Sequence, residues 1–541
     1  MQDAVTALSQ GRTDEARAGF TRALRTSPEH PAAHYFLGRI AQDSGKSDEA
    51  MRHFERSAQS DPAFAPPRVD GGALLFSLGR LEIAGQWFRD AIARNPALPE
   101  AYNNLGSVLK EQGRVPEAID CFRRAIELRP DYASAHSNLL FVLHYLPGMT
   151  QSRLKAEHQA WTARQAVPST PSPASAPPRP GHTLSVGFVS ADLYRHPVGV
   201  FLAPFALHHD RQRIRTVYYS DTTREDDLTR TIRSTAGIWR QTHGVSDDTL
   251  ARQIAEDGID VLVDLAGHTA GNRLRLFARR AAPVQASWIG YFNTTGIPAM
   301  DAILMDATTA PPGTDDAFCE RVIRLSTRFC YLPPDYAPAV GAPPCGSTGS
   351  FAFGSFNNLA KLTHEVTGLW AEILRRTDDT RLILKWRSLA DDGTRRRIEQ
   401  AFAAHGIDAG RVVLRGWSGH RDSLAEYADV DLALDPFPFS GGLTSCDALY
   451  MGVPVLTWSG ELPVSRQTAA ILNAIGLEDF TCESREDFLR RAVAMASASA
   501  HARLVELRQT LRDRMLRSPL CDGRRHAAEV ADALWALAHR V

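Results

Sequence analysis

The chain has 541 residues, enough for about two to four domains, and its 61 basic and 62 acidic residues leave a formal charge of −1. This balance does not favour nucleic acid or an anionic membrane as a general partner. No run of about 18 apolar residues occurs, so a membrane span is not expected. The first residues contain no basic region followed by an apolar core, and the seven cysteines include no CxxC pair. These features predict a cytoplasmic protein without a zinc ribbon.

The first third of the chain repeats with a period of 34 residues. Four residue types recur in register: Gly11, Gly45, Gly79 and Gly113; Ala16, Ala50, Ala84 and Ala118; Phe20, Phe54, Phe88 and Phe122; Pro28, Pro62, Pro96 and Pro130. A further glycine column comprises Gly38, Gly72 and Gly106. The pattern resembles the tetratricopeptide repeat (TPR), in which Gly ends the first helix of each pair and Ala and Phe pack the two helices. We therefore predict a TPR α-solenoid over residues 1–165.

A segment rich in Pro, Ser and Ala follows at residues 166–182. Its composition is incompatible with a helix or a central strand, so it predicts an extended linker. Beyond it, short apolar runs alternate with helical stretches, first over residues 183–335 and then over residues 349–541. This alternation predicts two Rossmann-like domains with parallel sheets and a cleft between them. GT-B glycosyltransferases and several other enzyme classes share that arrangement.

Five strands are predicted in each of these domains. They are LSVGFVS, TVYYS, DVLVDLAG, ASWIGY and AILMD in the first, and FAFGSF, RLILKW, RVVLRGW, DLALD and PVLTW in the second. Between the last two strands, the small residues after Asp435 predict a loop, and the stretch from Thr444 to Met451 predicts a short helix. Such a loop in a βαβ unit lies where these folds bind ligands.

Motifs of several other enzyme classes are missing from the sequence. It contains no GxxxxGK[ST], no GxGxxG after the first strand of either domain, and no HExxH. The triplet from Asp429 to Asp431 has the DxD form of metal-dependent glycosyltransferases. Because it opens a buried strand, we interpret it as strand-edge capping instead.

Several longer motifs carry a family resemblance. They are HPVGVFLAPF, DLAGHTAGNRL, PVQASWIGYFNTTG, FGSFNNLAKLT, DPFPFSGGLTSCDALYMGVPVLT and SPLCDG. With the repeats ahead of them, they resemble the O-linked N-acetylglucosamine transferase family over nearly the whole chain. That family includes the plant Spindly proteins, which are protein O-fucosyltransferases. The stretches GHTAGNRL, NTTG and FNNLAK are more similar to the Spindly branch.

The resemblance implies an inverting, metal-independent enzyme that transfers one sugar from a nucleotide donor to Ser or Thr of proteins bound by the solenoid. UDP-N-acetylglucosamine is the donor implied by the main family, and GDP-fucose is the donor implied by the Spindly-like details. An alternative is a non-catalytic TPR adaptor with a decayed transferase region, which the departures described below favour.

Four residues acquire roles from the resemblance, and His268 acquires one from its place at the end of a predicted strand. Lys361 matches the lysine that contacts the leaving diphosphate, and Asn358 matches a residue that contacts the nucleotide. His196 matches a proposed catalytic base, although His-Pro at the start of a helix is also typical of a structural cap. His268, after DVLVDL, is a second candidate for the cleft, and Gly290 is expected to border the sugar.

The opening of the predicted helix near Thr444 is expected to bind the diphosphate. In the family the matching triplet is His-Thr-Thr; here it is Gly442, Leu443 and Thr444. Free N–H groups and the helix dipole bind anions at such a terminus, so backbone contacts survive the change. Asp447 matches the residue that holds the ribose. The alternative is a capping box formed by Thr444 and Asp447 without any ligand.

Two further departures concern the nucleobase and the acceptor. The family's base-reading segment is Ala-Pro-Lys followed by His, whereas this chain has Ser418, His420 and then Ser423. Asparagines along the concave face grip peptides in the long-solenoid relatives. Here that column contains Asn104 and Asn138 but also Asp70 and Phe36, so the asparagine ladder is incomplete.

Overall fold

The computed structural model describes residues 1–165, 183–347 and 350–539, so the predicted linker lies outside the described residues. The first part is helical throughout: α1 (Gln2–Ser9), α2 (Thr13–Thr26), α3 (Pro31–Asp43), α4 (Ser47–Ser60), α5 (Pro66–Ser77), α6 (Leu81–Arg94), α7 (Pro99–Glu111), α8 (Val115–Leu128), α9 (Ala133–Leu143) and α10 (Gln151–Arg164). Successive helices pack in antiparallel pairs, and the TPR prediction is confirmed.

Each residue column of the repeat has a distinct packing role. The turn glycines at 34-residue spacing all have φ between +73° and +75°, a conformation that side chains disfavour. The alanine and phenylalanine columns are fully buried. A Cβ atom on Gly72 would lie 2.7 Å from the Phe88 ring, and Gly38 and Gly106 meet Phe54 and Phe122 in the same way. These glycines therefore let the two helices of a pair approach closely.

The first sheet has seven parallel strands in the order β3-β2-β1-β4-β5-β6-β7. Its elements are β1 (Leu184–Ser190), α11 (Pro197–His208), β2 (Ile214–Ser220), α12 (Asp227–Thr235), β3 (Ile238–Gln241), α13 (Asp247–Glu256), β4 (Val261–Asp264), α14 (Leu274–Ala278), β5 (Val284–Ser287), β6 (Ala302–Asp306) and β7 (Arg321–Leu325). All five predicted strands are present. Strands β3 and β7 were not predicted from the sequence.

The second sheet has six parallel strands in the order β10-β9-β8-β11-β12-β13. Its elements are α15 (Pro344–Ser347), β8 (Phe351–Ser355), α16 (His364–Arg375), β9 (Thr380–Lys385), α17 (Asp392–Ala403), β10 (Val412–Arg415), α18 (His420–Ala425), β11 (Leu432–Leu434), α19 (Leu443–Tyr450), β12 (Val455–Trp458), α20 (Gln467–Ala474), β13 (Thr481–Cys482), α21 (Arg485–Met495) and α22 (His501–Leu516). Again the five predicted strands are present, and the short β13 was missed.

The last helix, α23 (Gly523–Ala538), crosses back to the first sheet domain and packs on α11 and β7. It belongs by sequence to the predicted 349–541 domain, so that boundary stays a prediction. The buried cores of the two sheet domains are continuous. None of the helices in the described ranges combines the length and hydropathy that a bilayer crossing requires.

The helical repeats are packed against both sheet domains. Tyr291 and Phe292, which follow β5, and Phe439, which follows β11, join the hydrophobic core of α5–α10. Tyr145, after α9, stacks on Phe439 with ring centroids 4.8 Å apart. The solenoid therefore supports residues of the cleft directly.

Candidate active site

The candidate site lies at the carboxyl ends of β8 and β11. In the sheet, β9 and β10 lie on one side of β8, and β11, β12 and β13 lie on its other side. The direction in which successive strands are added therefore reverses between β8 and β11. Ligands bind at such switch points in open parallel sheets. The segment after β8 leads to a short 3₁₀ helix, Leu359–Lys361, and the segment after β11 leads to α19.

Lys361 lies between these two segments. Its Nζ donates to the carbonyl oxygen of Ser440 at 2.8 Å and to Oδ1 of Asn357 at 3.1 Å. The ammonium group also lies 4.7 Å from the centroid of the Phe439 ring. Burial lowers the pKa of Lys361 to about 8, and attraction to the buried Asp435 only partly opposes this. The site therefore holds a cation with which no carboxylate of the described residues forms a direct pair.

The first turn of α19 faces this lysine. Gly442 is its N-cap, and the described residues provide no side-chain cap for the turn. The Oγ1 of Thr444 donates to the same Asn357 Oδ1 at 3.1 Å, so one amide oxygen links the lysine to the helix terminus. The alternative of a Thr444–Asp447 capping box is wrong, because Thr444 lies inside the helix. The arrangement has the donors and charge of an anion site.

Asp447 is held from two sides one turn further along α19. Its Oδ1 accepts from the hydroxyl of Tyr331 at 2.8 Å, and its Oδ2 lies 3.3 Å from Nε2 of His420. The other ring nitrogen of His420 lies 2.7 Å from the hydroxyl of Tyr336. His420 and Asp447, predicted as two separate donor contacts, therefore form one hydrogen-bonded pair.

Ser418 does not have a free hydroxyl. Its Oγ accepts from Lys385 Nζ at 2.7 Å and donates to Glu426 at 2.9 Å, so it belongs to a buried ion pair. Ser423 lies on α18 and is half-buried. Trp417 lies in the loop after β10, directly before Ser418. It is 77% exposed, the most exposed large hydrophobic side chain in the described ranges. Neither Lys385 nor Trp417 was predicted from the sequence as a site residue.

Asn358 caps the 3₁₀ helix by accepting from the N–H of Ala360 at 2.9 Å. The neighbouring Asn357 was not predicted as a site residue, but it makes the contacts to Lys361 and Thr444 described above. Its only sequence signal is its place beside Asn358 in FNNLAK. Tyr331, which positions Asp447, follows the last strand of the first sheet and has no sequence signal.

His196 is the N-cap of α11 in the first sheet domain. Its Nδ1 accepts from the N–H of Val198 at 3.4 Å and lies 3.7 Å from Oδ2 of Asp192. Desolvation lowers the pKa of His196, with Asp192 opposing the shift, so the ring is neutral at pH 7. In this structure His196 therefore caps α11, as the alternative to the catalytic base predicted. A base acting through Nε2 requires the other tautomer, with the Nδ1 proton directed at Asp192.

The two sheet domains meet beside these residues. The guanidinium of Arg195, next to His196, lies 5.0 Å from the centroid of the Tyr336 ring, and Tyr336 bonds His420. The loop that carries His196 is therefore joined to the Asp447 region by consecutive contacts. The candidate base thus lies in a loop that contacts the second sheet domain at the cleft between the two.

His268 does not line this cleft, so the prediction of a second cleft histidine is wrong. Its Nδ1 lies 3.1 Å from Oγ of Ser137 in α9, and its Nε2 lies 2.8 Å from the carbonyl oxygen of Thr295. Only 1% of the residue is exposed. His268 is instead part of the interface between the repeats and the first sheet.

Gly290 is placed where backbone segments approach closely. A Cβ atom there would lie 1.8 Å from the carbonyl oxygen of Leu265, so a side chain cannot be accommodated without displacing the main chain. The residues after it, Tyr291 and Phe292, pack into the repeat core. The structure thus gives Gly290 a packing role, and its place beside the sugar stays a prediction.

The DxD-like pair has structural partners. Asp431 accepts from the N–H groups of Cys345 and Ala352 at 3.0 and 2.8 Å, and Asp429 pairs with Arg415 at 2.6 Å. No group of three or more His, Cys, Asp or Glu side chains in the described ranges has the arrangement of a metal site. The two carboxylates therefore act in separate interactions.

Comparison with known proteins agrees with this architecture. The family model for glycosyl transferase family 41 matches residues 170–332 and 347–530, and TPR models match residues 3–63, 72–113 and 99–132. A solved O-GlcNAc transferase from Thermobaculum terrenum, in a mutant form, has a TM-score of 0.87 and 35% identity, covering 94% of this chain and 97% of its own.

Two curated relatives are named probable UDP-N-acetylglucosamine–peptide N-acetylglucosaminyltransferase SPINDLY. The tomato protein (Solanum lycopersicum) is 36% identical over 71% of this chain and 42% of its own length. The Arabidopsis thaliana protein is 34% identical over 71% of this chain and 41% of its own length. The chain thus spans about two fifths of the length of these relatives.

The fold and site define a TPR protein with a GT-B pair of Rossmann-like domains, and the predicted fold class is confirmed. More particularly, the chain belongs to glycosyl transferase family 41.

Proposed function

We propose that the protein transfers a single N-acetylglucosamine residue from UDP-N-acetylglucosamine to Ser or Thr side chains of proteins that the solenoid presents. The observation that carries this proposal is the shared Asn357 oxygen, which holds the Lys361 cation against the uncapped first turn of α19. Family membership and the names of the relatives support it. The seven free cysteines fit a reducing cytoplasm.

In the proposed reaction the acceptor oxygen attacks the anomeric carbon while the bond from that carbon to the diphosphate breaks, with inversion. Lys361 and the N–H groups at Leu443 and Thr444 stabilise the negative charge that develops on the leaving diphosphate. His196 takes the acceptor proton at Nε2, and Asp192 stabilises the resulting imidazolium. Asn358, Gly290 and the Asp447–His420 pair position the donor.

A metal ion has no assigned role in this proposal, since Lys361 and the helix terminus supply the positive charge. Transfer should therefore continue unchanged in excess EDTA, as measured by release of UDP from the donor. Asp429→Asn should also keep its activity, because Asp429 pairs with Arg415. Loss of activity on chelation that manganese restores would assign the diphosphate to a metal site.

GDP-fucose is the second candidate donor. The segment that reads the uracil base in the O-GlcNAc transferases differs here, which favours another nucleotide. Ser418 is bound to Glu426, and Ser423 has no ring to pack on a base. A non-catalytic adaptor remains a third outcome of the experiment that follows.

Calorimetric titration of UDP and GDP separates these candidates. We expect the wild type to bind UDP more tightly than GDP. We expect Ser423→His to leave UDP affinity unchanged or to raise it about 5- to 150-fold, because base–aromatic stacking contributes about 1–3 kcal/mol. Ser499→His, on an exposed serine of the same domain, is the matched control. Tighter binding of GDP supports the fucosyl donor, and binding of neither nucleotide at millimolar concentration supports the adaptor.

A further inference from the structure

A polar cavity of about 190 Å³ lies where the repeats meet the second sheet domain, away from the candidate active site. Helix α6, the turn between α7 and α8, and the start of α17 enclose it. Its walls are mostly polar and include Glu82, Arg89, Arg114 and Arg397. Three guanidinium groups and one carboxylate thus face one cavity.

Arg397 is the unusual member of this group. Its Nε and Nη2 atoms are inaccessible to solvent and have no hydrogen-bond partner among the described residues, so this guanidinium can face the cavity only through Nη1. Desolvation and the nearby positive charge of Arg114 lower the pKa of Arg397 to about 10, and attraction to Glu117 partly opposes this shift. A guanidinium in such surroundings is costly unless an anion compensates its charge.

The neighbouring carboxylates are already engaged with other arginines. Arg114 binds both oxygens of Glu117 through Nε and Nη2. Glu82, the one carboxylate on the cavity wall, accepts from Arg396 at 3.0 Å. Arg89 has no ion-pair partner within the described ranges. Of the three guanidinium groups on the cavity wall, those of Arg89 and Arg397 thus have no direct ion pair within the described ranges.

We infer that this cavity binds a phosphate-class dianion between Arg89, Arg114 and Arg397. Guanidinium groups present paired N–H donors that match the oxygens of phosphate. The volume is several times the roughly 30 Å³ that a water molecule occupies in the liquid, so a tetrahedral oxyanion fits. The ion is either free orthophosphate or the phosphate group of a small phosphomonoester.

The bound ion would brace the repeats against the second sheet domain. A Cβ atom on Gly113, in the α7–α8 turn, would lie 2.6 Å from the Leu359 carbonyl oxygen and 3.3 Å from Nη2 of Arg397. The turn thus separates the cavity from the 3₁₀ helix that ends at Lys361. This inference does not depend on the proposed reaction.

Thermal unfolding of the full chain in increasing orthophosphate tests the site, with sodium chloride at equal ionic strength as reference. We expect the midpoint to rise with phosphate, because a ligand of the folded state stabilises it. Arg397→Gln should weaken phosphate binding at least tenfold and should be no less stable than the wild type without phosphate. Arg52→Gln, on an exposed arginine of α4, should respond like the wild type.

Further variants and a second ligand establish where the anion binds and which anion it is. The rise of the unfolding midpoint with phosphate should persist in Lys361→Ala. That variant loses phosphate binding at the candidate donor site but keeps the cavity. If Arg397→Gln does not fold, Arg89→Gln changes an exposed side chain and should also weaken binding. Tighter binding of glucose 6-phosphate than of orthophosphate identifies an ester as the ligand, and the reverse identifies the free ion. An equal response of wild type and Arg397→Gln, or no response beyond that to chloride, overturns the inference.

Discussion

Replacing Lys361 with Ala should lower turnover about a hundred- to a thousandfold, because removing a donor that stabilises developing charge typically costs about 2.7–4 kcal/mol. Donor affinity should fall less, since solvent partly screens the diphosphate in the ground state. Lys361→Met keeps the packing beside Phe439 and isolates the effect of charge. Initial rates and donor titration for each variant measure the two quantities separately.

The pH dependence of kcat/KM provides an independent check. Burial lowers the pKa of Lys361 to about 8 in the free protein, so the cation is present below that pH and is lost above it. The wild type should therefore lose kcat/KM as pH rises through about 8, and Lys361→Ala should lack this decline. Lys46→Ala, on an exposed lysine of the repeats, should match the wild type. Equal turnover of Lys361→Ala and wild type would remove Lys361 from the reaction.

The parts of the fold that sequence predicted well have strong local patterns. The repeat columns recur at a fixed spacing, and each column residue packs on its own or the next helix. The strands that were found are buried apolar runs. The missed strand β3 is only half-buried, β7 carries arginines at two of its five positions, and β13 has two residues. Edge strands of this kind lack the hydrophobic pattern that reveals central ones.

The site was predictable where its contacts are local. Lys361 and the start of α19 lie at the ends of recognisable strands, so sequence placed them at one sheet edge. The roles of Ser418 and His268 depend on partners elsewhere in the chain, Lys385 and Ser137 respectively. Motif matching identifies a residue type at a position but carries no information about which distant side chain will occupy its hydrogen bonds.

The interface that contains His268 should make the protein sensitive to acid. His144, His158 and His268 lie together with Tyr291 between α9, α10 and the first sheet. His158 bonds the Tyr291 hydroxyl at 2.9 Å, and His144 lies 2.9 Å from the Asn293 amide. Desolvation lowers the pKa of His158 to about 4 and that of His144 to about 3, and the pKa of His268 is also well below 6.5.

Because these pKa values are depressed in the folded state, the unfolded chain binds protons first as pH falls below 6.5. Stability is therefore complete above pH 6.5 and is lost progressively toward pH 4. For His158 alone the loss approaches about 3 kcal/mol at pH 4, since one pKa unit corresponds to about 1.4 kcal/mol. Urea unfolding at several pH values measures this dependence.

His158→Gln tests the assignment, because glutamine keeps a hydrogen-bonding group near Tyr291 but does not titrate. The variant should be less stable than the wild type at pH 7.5 and should lose less stability between pH 6.5 and 4. His243→Gln, on an exposed histidine of the first sheet domain, should follow the wild-type curve. Parallel curves for His158→Gln and wild type would contradict the prediction. Loosening this interface should also weaken UDP binding, because the same repeat helices position Tyr145 against Phe439, the ring beside Lys361.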